Sequence, residues 1–344
     1  MKMTGENLKR GCERRVTGYG LWVLAVFLAM VCSCSANKDV VLSGGEKTAV
    51  IFDTDIGSDI DDTWALALLI QSAELDVKLI TTAVDDTAGK AKTVAKMLEI
   101  AGRTDIAIGT GIGVHKHGEK GNNQAEWTED YELSSYPGVI HRDGVGAIID
   151  TVMASAGPIK IIAVGPLPNI AAALEREPRV AEKAEFIGMH GSVRRGYGGR
   201  GEIDAEYNVE AFVKEAQKVF TAGWEMTITP LDTCGIVRLE GKKYEKVLKS
   251  KNPLARAVIE NYRVWTRSQG HDERRIEGGS TTLYDTVAVY LAISTELVEI
   301  EKLEIRVSDE GYMVIEDGGK VIGCATEWKD LGGFEDFLVE RLAK

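Results

Sequence analysis

Ile51-Phe52-Asp53-Thr54-Asp55-Ile56-Gly57-Ser58-Asp59-Ile60-Asp61-Asp62 leads from an apolar strand pattern into an apolar helix pattern and carries five carboxylates. Asp53 and Asp55 fall at the strand exit, Gly57 permits a tight turn, and Asp61-Asp62 opens the helix, whose dipole favours anions. Two carboxylates about 4 Å apart repel by roughly 4 kcal/mol at an effective dielectric near 20. No Lys or Arg lies in the run, so a bound metal is the expected counter-charge. A lone aspartate here would be a helix cap or a solvated loop charge, but five in so short a stretch at a strand-to-helix junction point to a site.

Outward from this junction, short β-branched runs alternate with helical spacing. Strands are expected at Ala49–Phe52, Val77–Thr82, Ile159–Val164, Glu185–Met189 and Met226–Ile228. Helices are expected at Thr63–Gln71, Lys90–Ala101, Val145–Ala156, Asn169–Arg176, Val209–Phe220 and Ala255–Arg267. This alternation predicts an α/β fold, an open and mostly parallel sheet flanked by helices, with ligands beyond the carboxyl ends of the strands. Leu303–Val307, Tyr312–Ile315 and Val321–Ala325 read as a small C-terminal β addition, with Asp317-Gly318-Gly319 as a hairpin turn. The glycine-rich segment 191–201, with Arg194, Arg195 and Arg200, reads as a mobile loop.

The first residues are basic, and Leu21–Val31 is an apolar run too short to span a bilayer comfortably but suited to a secretory signal. Val31-Cys32-Ser33 before Cys34 resembles a lipobox, which makes Cys34 the expected lipidated residue; ordinary cleavage near Ala36 is the alternative. The expected organisation is therefore a leader over 1–33, a tether over 34–47 and one domain over 48–344, exported and held at the cell envelope through a lipid anchor only. Loss of the leader removes five basic and two acidic side chains, moving the formal charge from -12 to -15. So acidic a body argues against nucleic acid or anionic membrane surfaces as partners. Cys234 and Cys324 lie outside the leader and are expected to stay buried and separate more readily than to pair.

The chain resembles the inosine-uridine nucleoside hydrolase family, whose opening motif is a strand running into Asp-x-Asp-x-Gly and then Asp-Asp-Ala-x-Ala-Leu. Asp53, Asp55, Gly57, Asp61 and Asp62 align onto that motif, with a turn longer by two residues around Ser58-Asp59. Ile80–Thr87 is similar to the family's second strand and loop, with Asp86 at a position that contacts ribose. His141-Arg142-Asp143-Gly144 resembles its His-containing Asp-Gly loop, and Ile162–Ala171 its Gly-Pro-Leu-Thr-Asn-Ile-Ala segment. Met189, with Ala205-Glu206-Tyr207-Asn208, and Leu283-Tyr284-Asp285-Thr286-Val287-Ala288-Val289 resemble the remaining motifs in the same order.

The resemblance implies calcium-dependent hydrolysis of the N-glycosidic bond of a nucleoside or related ribosyl compound, releasing base and ribose. The implied ligands are Asp55, Asp62, Asp285 and the backbone carbonyl of Val164, an all-oxygen set that suits calcium better than zinc. Asp55 is the implied general base toward a water whose acidity the cation raises. Asp61, Asp86, Glu206, Asn208, Met189, Tyr284 and His141 are the implied substrate contacts, and dimers or tetramers the implied assembly.

Two departures bear on the leaving base. Some family members place a His before the closing Asp, where it can protonate a departing purine; here that residue is Tyr284, with an ordinary pKa near 10. His141, His190 and His271 are the available substitutes. Arg200 stands where the family has an Asn six residues before the Glu. A second reading follows, an envelope-anchored nucleoside or ribose binder without catalysis. A phosphatase of the haloacid dehalogenase type accounts for Asp53-Thr54-Asp55 but not for the later segments.

Overall fold

Val50, Phe52 and Ile51 alternate between two apolar layers on opposite faces of one strand, because successive side chains in a strand point to opposite sides. That strand, β1 (Thr48–Thr54), is the centre of the sheet. In the computed structural model the described residues are 47–114 and 121–344; the leader, Cys34 and the tether up to residue 46 lie outside them. Among the described residues a sheet of ten strands runs in the order β4-β3-β2-β1-β5-β6-β7-β10-β8-β9.

The other strands are β2 (Leu75–Thr82), β3 (Ala107–Thr110), β4 (Ile140–His141), β5 (Ile159–Ala163), β6 (Ala184–Met189), β7 (Met226–Thr229), β8 (Val298–Val307), β9 (Met313–Ile315) and β10 (Lys320–Trp328). Strands β1 to β7 pair in parallel, while β8 is antiparallel to both β9 and β10. The chain builds outward from β1 to β4, then returns to place β5 on the other side of β1 and builds the opposite way. The switch point therefore falls between the carboxyl ends of β1 and β5, where α/β sheets open a crevice.

Helices α1 (Asp61–Gln71), α2 (Thr87–Ile100), α10 (Pro253–Ser268), α11 (Tyr284–Ile293) and α12 (Leu331–Ala343) contribute to one apolar layer. Helices α3 (Gly144–Ala154), α4 (Pro168–Arg176) and α7 (Val213–Thr221) contribute to the other. Shorter helices α5 (Val180–Lys183), α6 (Tyr207–Glu210), α8 (Leu231–Cys234) and α9 (Gly241–Leu248) complete the chain. The helix expected over 209–220 is two, because Phe212 leaves helical geometry at φ −139°, ψ 65° between α6 and α7.

The C-terminal strands join the main sheet through the β7–β10 pairing, Gly323 opposite Thr227. Asp317–Gly319 does turn the chain from β9 toward β10, but those strands lie on opposite sides of β8 and do not form the expected hairpin. Segment 191–201 is tied down: the backbone N–H groups of Val193 and Arg194 donate to Asp232 at 2.9 and 2.8 Å, and Arg194 pairs with Glu301. Cys234 and Cys324 are both buried and unpaired. No helix among the described residues is long and apolar enough to cross a membrane.

Candidate active site

At the switch point lies a cavity of about 590 Å³ lined by seven carboxylates, Asp55, Asp59, Asp61, Asp62, Asp85, Glu206 and Asp285. Two helix N-termini converge on it. Asp61 and Asp62 open α1, and Asp285 sits in the first turn of α11, so the positive ends of both dipoles face the acidic cluster. One oxygen each of Asp61, Asp62 and Asp285 lies within 4.8 Å of the others. Neither Asp61 nor Asp285 caps its helix through its side chain; the cap positions are Ile60 and Leu283.

Burial, then the charges of Asp55 and Asp61, pushes the Asp62 carboxyl well above its ordinary range. Asp285 and Asp61 are driven the same way, by burial first and by neighbouring aspartates second. Such a set is costly when fully ionised and empty, and its all-oxygen donors fit a hard divalent cation. Asp61, Asp62 and Asp285 are therefore a set that could hold a metal ion.

Asp55 lines the same cavity, and burial raises its carboxyl as the charge of Lys90 draws it back. Gly165 makes room for it: a Cβ there would lie 2.6 Å from Asp55 Oδ1. Asp53, by contrast, does not face the cavity; it accepts from Thr81 Oγ1 and from Asn169 Nδ2 at 2.8 Å, and its other oxygen is buried without a partner. Burial pushes Asp53 up to about 7.

Val164, Met189, Glu206, Asn208 and Tyr284 also line the cavity. The Val164 carbonyl accepts from Asn208 Nδ2 at 2.9 Å, and the same amide reaches the Met189 carbonyl at 3.1 Å. Glu206 caps α6 by accepting from Asn208 N, and its second oxygen accepts from Gly191 N, both at 2.8 Å. Burial lifts its carboxyl to about 7.

Asp86 and His141 are not brought to the cavity. Asp86 caps α2 by accepting from Gly89 N at 2.9 Å, and it is its neighbour Asp85, in a left-handed conformation with φ +57°, that lines the cavity. His141 is exposed on β4. His190 is packed against Phe186 and Phe220 with Nε2 3.1 Å from the Gly165 carbonyl, and burial holds it neutral with its pKa lowered to about 3. Arg200 is exposed and pairs with Asp204 at 2.6 Å. Burial also moves Tyr284 further from neutrality, up to about 12, with Tyr197 packed edge-on against its ring at 6.2 Å.

Lys90 was not singled out by its sequence. On α2, with 0% of its surface exposed, it donates to Ser58 Oγ at 2.8 Å and to the Ala83 carbonyl at 3.3 Å. Burial lowers its pKa, while Asp55, Asp85 and Asp62 pull it back up. The cation missing from the 51–62 run is thus partly supplied from an element far along the chain. Its sequence signal is faint: a Lys at a core-facing position of α2, between Thr87 and Ala91, both buried.

The chain is thus an α/β protein with an open, mostly parallel sheet and, at its switch point, an acidic cavity whose aspartates could hold a metal ion. Residues 50–332 match the family model described as inosine-uridine preferring nucleoside hydrolase, and the chain belongs to that family of N-glycosyl hydrolases. It is 27% identical over 316 residues to the pyrimidine-specific ribonucleoside hydrolase RihA of Citrobacter koseri, covering 86% of this chain and 97% of that one. To the probable uridine nucleosidase 2 of Arabidopsis thaliana it is 24% identical, over 85% and 89% of the two chains. A solved plant nucleoside hydrolase, PpNRh1, superposes with a TM-score of 0.71 at 23% identity, covering 87% of this chain and 99% of that one. The purine-preferring ribonucleoside hydrolase of Gardnerella vaginalis gives 0.68 at 20% identity, covering 86% and 98%.

Proposed function

We propose that the protein hydrolyses the N-glycosidic bond of a ribonucleoside or related ribosyl compound, releasing base and ribose, with calcium as its metal. The observation that carries this is the convergence of Asp55, Asp61, Asp62 and Asp285, from the two ends of the domain, on one cavity that Glu206, Asn208 and Met189 also line. Asp55, Asp62, Asp285 and the Val164 carbonyl would hold the ion. When bound, it supplies Lewis acidity that favours ionisation of water and an anchor for vicinal hydroxyls.

Asp55 takes the proton of the attacking water, whose oxygen bonds to the anomeric carbon as the carbon–nitrogen bond breaks and its electron pair leaves with the base. The surrounding carboxylates stabilise the positive charge that develops on the sugar. Asp61, Asp85 and Glu206 are acceptors for ribose hydroxyls. Asn208, its amide nitrogen spent on two backbone carbonyls, positions Val164 and Met189. Tyr284 stays protonated at ordinary pH and donates a hydrogen bond to the departing base. RihA is named for pyrimidines and the Gardnerella enzyme for purines, and ribose release across a nucleoside panel distinguishes the two preferences.

We also propose export, lipidation at Cys34 and assembly into a homo-oligomer. The support for the first two is the apolar run 21–31 and the lipobox-like residues before Cys34. Incorporation of labelled fatty acid that persists in Cys34→Ser would remove the lipidation site.

The test of function is ribose release from a nucleoside panel, with calcium and with a chelator. Turnover that the chelator abolishes and calcium restores is expected. Absence of cleavage on every ribosyl compound despite bound calcium would overturn the reading, and tight binding without cleavage would make the protein a binder.

A further inference from the structure

A second cavity, about 320 Å³, adjoins the first, with Trp265 and Gln269 lining both. Its charge is opposite. Arg238, Arg275 and His271 line it, against one carboxylate, Glu240, whereas the first carries seven carboxylates. Among the described residues no carboxylate forms an ion pair with Arg238 or Arg275, although arginines nearby do pair, Arg267 with Glu126 and Glu273 and Arg274 with Asp272. The hydroxyl oxygen of Thr281, on the same wall, is buried with no hydrogen-bond partner. In a chain of net charge -12, two guanidiniums that no carboxylate pairs with among the described residues make this recess favourable to an anion.

The recess is mechanically joined to the active site. Val237 and Leu239, flanking Arg238, are buried, so the arginine projects away from the core. Leu239 N donates to Ser280 Oγ at 2.9 Å, Ser280 N to the Leu239 carbonyl at 3.0 Å, and Leu283 N to the Val237 carbonyl at 2.9 Å. This ladder holds Arg238 against the segment that runs straight into Tyr284 and Asp285. On the shared wall, Trp265 Nε1 donates to the Ser58 carbonyl at 3.2 Å, fixing the indole between the acidic loop and the basic recess.

We infer that the substrates of this enzyme are ribonucleosides whose base carries an acidic substituent, with the sugar at the carboxylate end of the first cavity and the anionic group received by Arg238 and Arg275. The inference rests on the nucleoside hydrolase reading. It supplies what the active site lacks: no histidine lines the first cavity, and negative charge building on the departing base is stabilised instead by cations beyond Trp265. Both arginines are exposed, so added salt weakens the effect.

The test compares 5-carboxyuridine with 5-carbamoyluridine, which match in size and differ in charge, on the calcium-loaded protein. The expected result is a kcat/KM for the acid at least about tenfold above that for the amide, the smallest discrimination one charge-assisted hydrogen bond gives. The ratio should fall toward one in the double variant Arg238→Gln/Arg275→Gln, and shrink at high salt. Because each variant is its own reference, a general loss of activity does not disturb the ratio. Equal turnover or preference for the amide in the unaltered protein, or a preference for the acid that survives the double variant, overturns the inference. If neither compound is cleaved, the nucleoside panel decides the hydrolase reading separately, and calorimetry with the same pair decides this one: tighter binding of the acid, lost in the double variant, sustains the recess, and equal binding overturns it.

Discussion

The backbone N–H of Asp285 donates to Oδ2 of Asp61 at 3.3 Å across 224 residues of chain. Each residue sits in the first turn of a buried helix, so one contact sets two helix N-termini against each other and aims their carboxylates at a common point. The bond also means that Asp61 spends one acceptor on the scaffold, which makes it as much a spacer of the cluster as a contact for substrate.

Removing the metal should make stability depend on pH. Burial raises Asp53 and Glu206 to about 7 from ordinary values of 3.8 and 4.5, so the folded metal-free chain binds more protons than the unfolded one between those limits. Their contribution is fully present below about pH 4 and is lost as pH rises through about 7. Urea midpoints in chelator should therefore fall between about pH 5 and about pH 7.5, and calcium should flatten the slope. A midpoint that rises over this window in chelator would show that these groups do not govern the metal-free state.

Lys90→Met leaves Asp55, Asp62 and Asp85 without the buried cation that faces them. Breaking one partner of a buried charge pair costs about 3–5 kcal/mol. The loss should be largest in chelator and shrink when calcium takes over the neutralisation. Thermal melts of both proteins in chelator and in calcium read this directly; an equal deficit in the two conditions would assign Lys90 to packing alone.

Gly165→Ala places a methyl 2.6 Å from Asp55 Oδ1 and 2.9 Å from its backbone N. Asp55 must move, since the clash includes main chain. If Asp55 is the general base, kcat should drop by about 10²-fold or more with a smaller change in KM. Circular dichroism that matches the parent, together with unchanged kcat, would remove Asp55 from the reaction.

Tyr284→Phe deletes a hydroxyl held protonated by burial. One hydrogen bond to the leaving base is worth about 1 kcal/mol, so kcat/KM should fall about fivefold. The pH profile should keep its shape below about pH 9, because a group titrating near 12 contributes no limb there. Tyr284→His should instead introduce a limb near neutrality. A basic limb in the parent that vanishes in the Phe variant would make Tyr284 the titrating acid.

Short-range chemistry determined much of this protein from its sequence. Alternation of β-branched runs with helical spacing located eight of the ten strands within a few residues, apart from the start of β8, and motif order placed Asp55, Asp62, Val164 and Asp285 on elements that end at one cavity. The two-residue β4 and four-residue β3 were too short to carry a period. Tertiary structure alone decided the rest, because the deciding contacts are long-range. Asp85 rather than Asp86 faces the cavity, since Asp86 is taken by Gly89 N and the backbone turns left-handed at Asp85. Lys90 is a counter-charge only because α2 packs its stem under the acidic loop, and the Asp317–Gly319 turn joins strands that do not pair because β8 lies between them and pairs with both. Periodicity along the chain reports which face of an element is buried; which other element covers it is set by packing.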